Sequence, residues 1–319
     1  MKTPVVLLAL TALLASASAS AKQTTPAPVS KAAPSSTVSG VTVTAPEKPN
    51  EIVDPTTQFV RQRLPTSRFE QYARFRDPVC VKVVGLPGEF DAFIAKRVVD
   101  VARQVNAPVA DAETCKPNVN VIFSTQPQAQ LTDIAKHRDV LFGFVWRTNL
   151  KQAATFSRPI QSWYLTRVIE SKGDGALELN AGTAFMLIPG QGLVSLGKTP
   201  IGEAGSRLGE NLSSELVHSL IIADANKVAG EKIDAVADYI AVLALSRWQG
   251  LERCSGLPTI LNLMADGCDA EDRPQAATPG DLALLEGLYT ANVRESGSQQ
   301  RATIASAIRK ATTGDGGRR

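Results

Sequence analysis

The sequence predicts an α+β fold with a mixed sheet, on three observations. A short apolar strand near residue 80 runs into a long amphipathic helix, strand-like segments separated by Gly and Pro fill the middle of the chain, and a second long apolar helix is followed by helices with strong start signals. Hydrophobic residues are 44% of the chain, enough to bury a sizeable core.

Taken in order, the N-terminus comes first. Lys2 precedes the apolar run V-V-L-L-A-L-T-A-L-L-A (5 to 15), and small residues lead to Ala19-Ser20-Ala21, the pattern of a secretory signal peptide cleaved after Ala21. The run falls short of the ~20 residues a spanning helix needs, and no later segment is long and apolar enough, so an exported protein without a membrane span is expected, periplasmic or secreted. Residues 22 to 54 are rich in Pro, Ser, Thr and Ala without apolar periodicity and read as a disordered linker, as does the tail from 312 to 319. A single domain is expected between them, from 55 to 311.

Within it, Cys80 to Leu86 reads as a strand ended by Gly85-Leu86-Pro87-Gly88. Phe90, Phe93, Ile94, Val98, Val101, Ala102 and Val105 recur at helical spacing. A strand follows over 118 to 124, a helix over 127 to 137, and strands near 139 to 146, 160 to 170, 175 to 180, 184 to 196 and 215 to 223. Ile233, Val236, Ala237, Ile240, Leu243 and Ala244 form the stripe of the second long helix. Thr278-Pro279-Gly280-Asp281 is a capping box in its Asp form, placing Leu282, Leu285, Leu288 and Tyr289 toward the core. Ser298 is read as the cap of a last helix with Ile304 and Ile308 inward.

Cys80, Cys115, Cys254 and Cys268 form an even set in a chain expected to be exported, which reads as two disulfides with three possible pairings. Cys80 with Cys115 and Cys254 with Cys268 is favoured, because each pair flanks one compact unit. The spacing does not suit a zinc site of cysteines. The net charge of +3 is scattered, which argues against nucleic acid as a partner.

Three consecutive segments carry a family resemblance: I-D-A-V-A-D-Y-I-A-V-L-A-L-S-R-W (233 to 248), P-T-I-L-N-L-M (258 to 264) and T-P-G-D-L-A-L-L-E-G-L-Y (278 to 289). In that order they resemble the metal-binding helix, methionine turn and closing helix of matrixin-type zincins, over about 60 residues of the chain. The resemblance implies a zincin-like fold with a former active-site helix. Laid over the helix, the family's HExxHxxGxxH pattern puts Ala237, Ala241 and Arg247 at the ligand positions, Asp238 at the catalytic glutamate and Ala244 at the glycine. Methyl groups and a guanidinium cannot ligate zinc, and without the metal Asp238 has no bound water to activate. The implication is a non-catalytic module with no metal or cofactor, binding an unknown protein or peptide.

The competing reading is a metal-dependent hydrolase or peptidase. Ser214-Glu215-Leu216-Val217-His218 is one substitution from HExxH, with Asp224 six residues on, so this reading uses Glu215 at the glutamate position and His218 and Asp224 as ligands, one imidazole and one carboxylate, too few for a tight catalytic zinc site. It requires 215 to 224 to be helical, whereas the β-branched, partly alternating run suggests a strand, in which 215 and 218 point to opposite faces. His137 is the other imidazole. Gly192 to Gly197 is one residue too long for a GxSxG elbow around Ser195. Asp266, Asp269, Glu271 and Asp272 lack the spacing of a calcium loop.

Overall fold

The computed structural model of the chain describes residues 54–67, 70–111, 115–137, 139–142, 147–170, 175–177, 185–188, 192–195 and 212–313, all within the unit Ile52–Arg319. The expected signal peptide lies outside them, as do the linker except Asp54 and the tail after Thr313.

Helix α1 (Pro55–Arg63) was not foreseen from periodicity; Asp54 caps it by accepting from the Thr57 amide at 3.1 Å, with Pro at the first turn. Strand β1 (Val81–Val84) ends at Gly85, whose φ of +108° favours glycine and whose Cβ, were there one, would lie 2.1 Å from the Phe123 carbonyl oxygen. Then come α2 (Gly88–Gln104), β2 (Val119–Ser124) and α3 (Pro127–His137). Where a strand was expected from 139, Asp139–Phe142 is a 3-10 turn and 143–146 fall outside the described residues. Its apolar side chains pack onto the sheet instead of extending it: Leu141 and Phe142 are buried, and the Phe142 ring meets Trp163 edge-on at 5.6 Å.

After α4 (Arg147–Ala153) come β3 (Ile160–Glu170), β4 (Gly175–Leu177), β5 (Phe185–Ile188), β6 (Gly192–Ser195) and β7 (Leu212–Asp224). The helices α5 (Ala225–Val228), α6 (Ile233–Ala244), α7 (Pro279–Thr290) and α8 (Gly297–Thr312) complete the described fold. The α7 capping box between Thr278 and Asp281 is present. The last helix is capped by Ser296 with Gln299, two residues before the expected Ser298; Gly297 can hold the intervening place because its Cα abuts the Glu70 carbonyl, leaving no room for a Cβ.

The sheet is mixed, with strand order β1-β2-β7-β3-β4; β1, β2 and β7 run parallel, while β3 is antiparallel to β7 and β4 to β3. Strands β5 and β6 form a separate antiparallel pair. One face of the sheet, through Val83, Val119, Val121, Phe123 and Ile221, packs in the main core with α2, α6 and α7. The other, through Trp163, Leu220 and Ile222, packs against Leu131 and Ile134 of α3 and the Asp139–Phe142 turn. Burial on both faces explains why Leu220-Ile221-Ile222-Ala223 is continuously apolar.

Disulfides join Cys80 to Cys115 and Cys254 to Cys268, with Cα atoms 5.9 and 5.1 Å apart. The first ties the start of β1 to the approach of β2. Among the described residues no helix is long and apolar enough to cross a membrane.

Candidate functional site

Helix α6 lies inside the core on all sides, not along one stripe: every residue from Ala235 to Ala244 is buried. Ala237 and Ala241 have 0% of their surface exposed, and Ala244 likewise. Asp238 is buried too. Its Oδ1 accepts from the Arg97 guanidinium of α2 and its Oδ2 from the Ala277 amide at 2.7 Å, so both carboxylate oxygens are engaged structurally. The hydrogen bond to Asp238 holds the Arg97 guanidinium above its ordinary pKa.

The segments after α6 are fastened by a second buried carboxylate. Asp281 accepts from the Thr259 hydroxyl at 2.5 Å, the Ile260 amide at 2.8 Å, and the amide and hydroxyl of Thr278 at 2.9 Å each. Burial pushes its carboxyl up, against the pull of these four donors. The 3-10 turn Ile260–Met264 is thereby pinned to the start of α7, and the Tyr289 hydroxyl at the other end of α7 donates to the Leu245 carbonyl at 2.8 Å. Met264 packs half-buried against the main core. Here α6, the 260–264 turn and α7 meet without an open cleft at Ala237 or Ala241.

Glu215, His218 and Asp224 lie on β7, not on a helix, since the run pairs with β2 on one side and β3 on the other. The opposite-face expectation for 215 and 218 fails for a local reason: the ladder skips Val217, so their β3 partners, Arg167 and Leu165, are two residues apart and by register share a face. The three side chains nonetheless serve different partners. Glu215 accepts from Arg167 Nε at 2.6 Å and pairs with Arg76 Nε at 3.3 Å, while Arg167 also reaches Asp77 at 3.2 Å. His218 Nε2 lies 2.7 Å from the side-chain nitrogen of Asn120, and its Nδ1 has no partner among the described residues. Burial lowers the His218 pKa to about 4, which keeps the ring neutral near pH 7. Asp224 accepts from the Asn226 amide at 3.1 Å as the cap of α5. Among the described residues no three His, Cys, Asp or Glu side chains converge on a point that could hold a metal ion.

The remaining candidates are scattered. His137 is exposed at the end of α3, 3.2 Å from Asp133. The Ser195 side chain falls outside the description. Asp266, Asp269, Glu271 and Asp272 are exposed around the Cys254–Cys268 loop.

One surface feature escaped the sequence reading. A groove of about 630 Å³ opens on the α3 face of the β1 edge, with Lys82, Val84, Asn120, Ile122, Asp133 and His137 among its lining residues. Val84, in its lining, is 38% exposed, and on the other face of the sheet Phe90 and Phe93, expected to continue the apolar stripe of α2, are 40% and 38% exposed. Ile94, Val98 and Val101 occupy the packed face of α2, whereas Phe93 shares a flank with Arg97 and Asp100. The signal available in the sequence was the β-branched V-K-V-V segment closed by glycine and proline, which marks a short strand without telling that it lies at an edge.

No protein-family model matches the chain, and neither a curated protein nor a solved structure was found to match it.

Proposed function

We propose that the chain is an exported, non-catalytic zincin-like domain, periplasmic or secreted, that binds a protein or peptide partner. The observation that carries this reading is the complete burial of Ala237 and Ala241, the positions where the family resemblance would require imidazoles on an open cleft. Asp238, at the position of the catalytic glutamate, has both oxygens committed to Arg97 and Ala277. With neither donors nor a cleft, α6 acts as the core of the domain and leaves recognition to its surface. The two disulfides support export, because such bonds persist in oxidising compartments.

The test is elemental analysis of the purified mature protein after loosely bound ions are removed, with thermal unfolding in and out of chelator. The expected outcome is no stoichiometric zinc and an unchanged melting temperature. Near one equivalent of zinc, lost in the His218→Ala variant, would replace this reading by a metal-dependent hydrolase using Glu215, His218 and Asp224.

A further inference from the structure

We infer that the outer edge of β1 takes a short extended peptide as an added strand, with an acidic side chain opposite Lys82; this rests on the binding-module reading. The occupant follows from the hydrogen bonding of the edge. The Cys80 carbonyl accepts from the Val119 amide of β2, so Cys80, Lys82 and Val84 direct their main-chain groups inward to the sheet. Val79 faces the other way, donating to the Pro108 carbonyl and accepting from the Ala110 amide. By the same alternation Val81 and Val83 present their N–H and C=O groups outward, and no described residue pairs with them. A row of outward donors and acceptors is matched by another extended backbone and by little else.

The side chains around this edge narrow the chemistry. Lys82 and Val84 stand on the face of the groove, and no described carboxylate lies within ion-pair distance of the Lys82 ammonium. On the face of Val83 lies α2, whose first turns leave Phe90 and Phe93 exposed; with Val84, these are the large apolar side chains most exposed among the described residues, all within ten positions of chain. An added strand would set one row of its side chains beside Lys82 and Val84 and the alternate row toward α2, so an acidic residue in a β-branched peptide fits. A second copy of this chain fits less well. Antiparallel self-pairing that uses both Val81 and Val83 sets Lys82 directly opposite its counterpart, where like charges repel.

The probe is acetyl-Thr-Val-Glu-Val-Thr-Val-amide at millimolar concentration, added to the labelled mature protein while amide hydrogen exchange is followed by NMR. Exchange of the Val81 and Val83 amides is expected to slow. Of two versions of the peptide, N-methylated on its odd or on its even residues, one should bind at least about tenfold more weakly and the other should be spared, as loss of main-chain bonds on one edge demands. The Lys82→Glu variant should turn a preference for this peptide over its Glu-to-Lys version into the opposite preference, by about threefold each way. Unchanged exchange at Val81 and Val83, or equal binding of both N-methylated peptides, overturns the proposal. So does a dimer in sedimentation whose Val81 and Val83 amides are already protected without peptide. Zinc-dependent cleavage of the peptide would sink the module reading while the protection pattern still supported the edge, so the two failures are distinguishable.

Discussion

His218 has no exposed surface and sits at the centre of β7, with Asn120 on one ring nitrogen and no partner among the described residues on the other. A charged imidazole there would need a hydration the core cannot supply. Its folded pKa is therefore about 4, below the ordinary value of 6.5 that the unfolded chain keeps. The sign follows from proton counting. Between pH 6.5 and 4 the unfolded chain binds a proton that the folded chain refuses, so stability present above pH 6.5 is lost as the pH falls through this window, by about 3 kcal/mol at its lower end. Asp281 works in the other direction, because burial raises its pKa in the folded state and acid favours that state over the ionised one. The His218 contribution is isolated by comparing urea unfolding of the native protein and of the His218→Gln variant from pH 7.5 to 4. The variant is expected to lose most of the slope between pH 6.5 and 4; equal slopes would show that the histidine is hydrated or charged in the fold.

At the scale of elements, α6 decides whether the zincin comparison has any chemical content. Ala241→His, alone or with Ala237→His, forces a ring into a site with no exposed surface and brings polar nitrogens without partners. The expected cost is about 3 kcal/mol or more in denaturant unfolding, with no zinc uptake; a variant as stable as the parent that takes up zinc stoichiometrically would mean the core opens there. The burial of this helix was only half legible. Its apolar stripe is legible in the sequence, whereas the burial of Asp238 and Tyr239 is not, because it depends on an ion pair from α2 and on the packing of distant segments. Elements with local signals read well: the α7 capping box and the alternating burial of β2 follow from residues within a turn or a strand. Those decided by tertiary contact did not. The Asp139–Phe142 turn has the composition of a strand but packs its Leu141 and Phe142 side chains with Trp163, and the exposure of Phe93 depends on how α2 lies on α6. Periodicity reports which side chains avoid water without saying which of them find cover. The edge position of β1 was illegible for the same reason, since no local pattern says how many neighbours a strand will have.

For the whole molecule, the two disulfides act on separate parts of the chain. Cys80–Cys115 closes the β1–α2–β2 crossover over a sequence separation of 35 residues, and Cys254–Cys268 closes the loop holding the Ile260–Met264 turn over a separation of 14. Loop-closure entropy gives about 4 kcal/mol for the first and about 3 kcal/mol for the second. The second loop is also tied in the folded state, by the Cys254 amide donating to the Asp266 carbonyl at 3.0 Å and by Asn262 bridging to Ser255, so folded contacts there can survive reduction while the unfolded chain gains freedom. Because the two loops do not overlap, their contributions are expected to add to about 7 kcal/mol, against the roughly 5–15 kcal/mol that holds a typical domain together. Replacing Cys254 and Cys268 by serine should lower unfolding stability by about 3 kcal/mol, and replacing Cys80 and Cys115 by about 4 kcal/mol. Removal of all four should leave a domain that unfolds near physiological temperature and accumulates poorly in a reducing cytoplasm. Equal urea midpoints for the oxidised and the fully reduced protein would contradict this, and would remove the disulfides as a reason for placing the domain in an oxidising compartment.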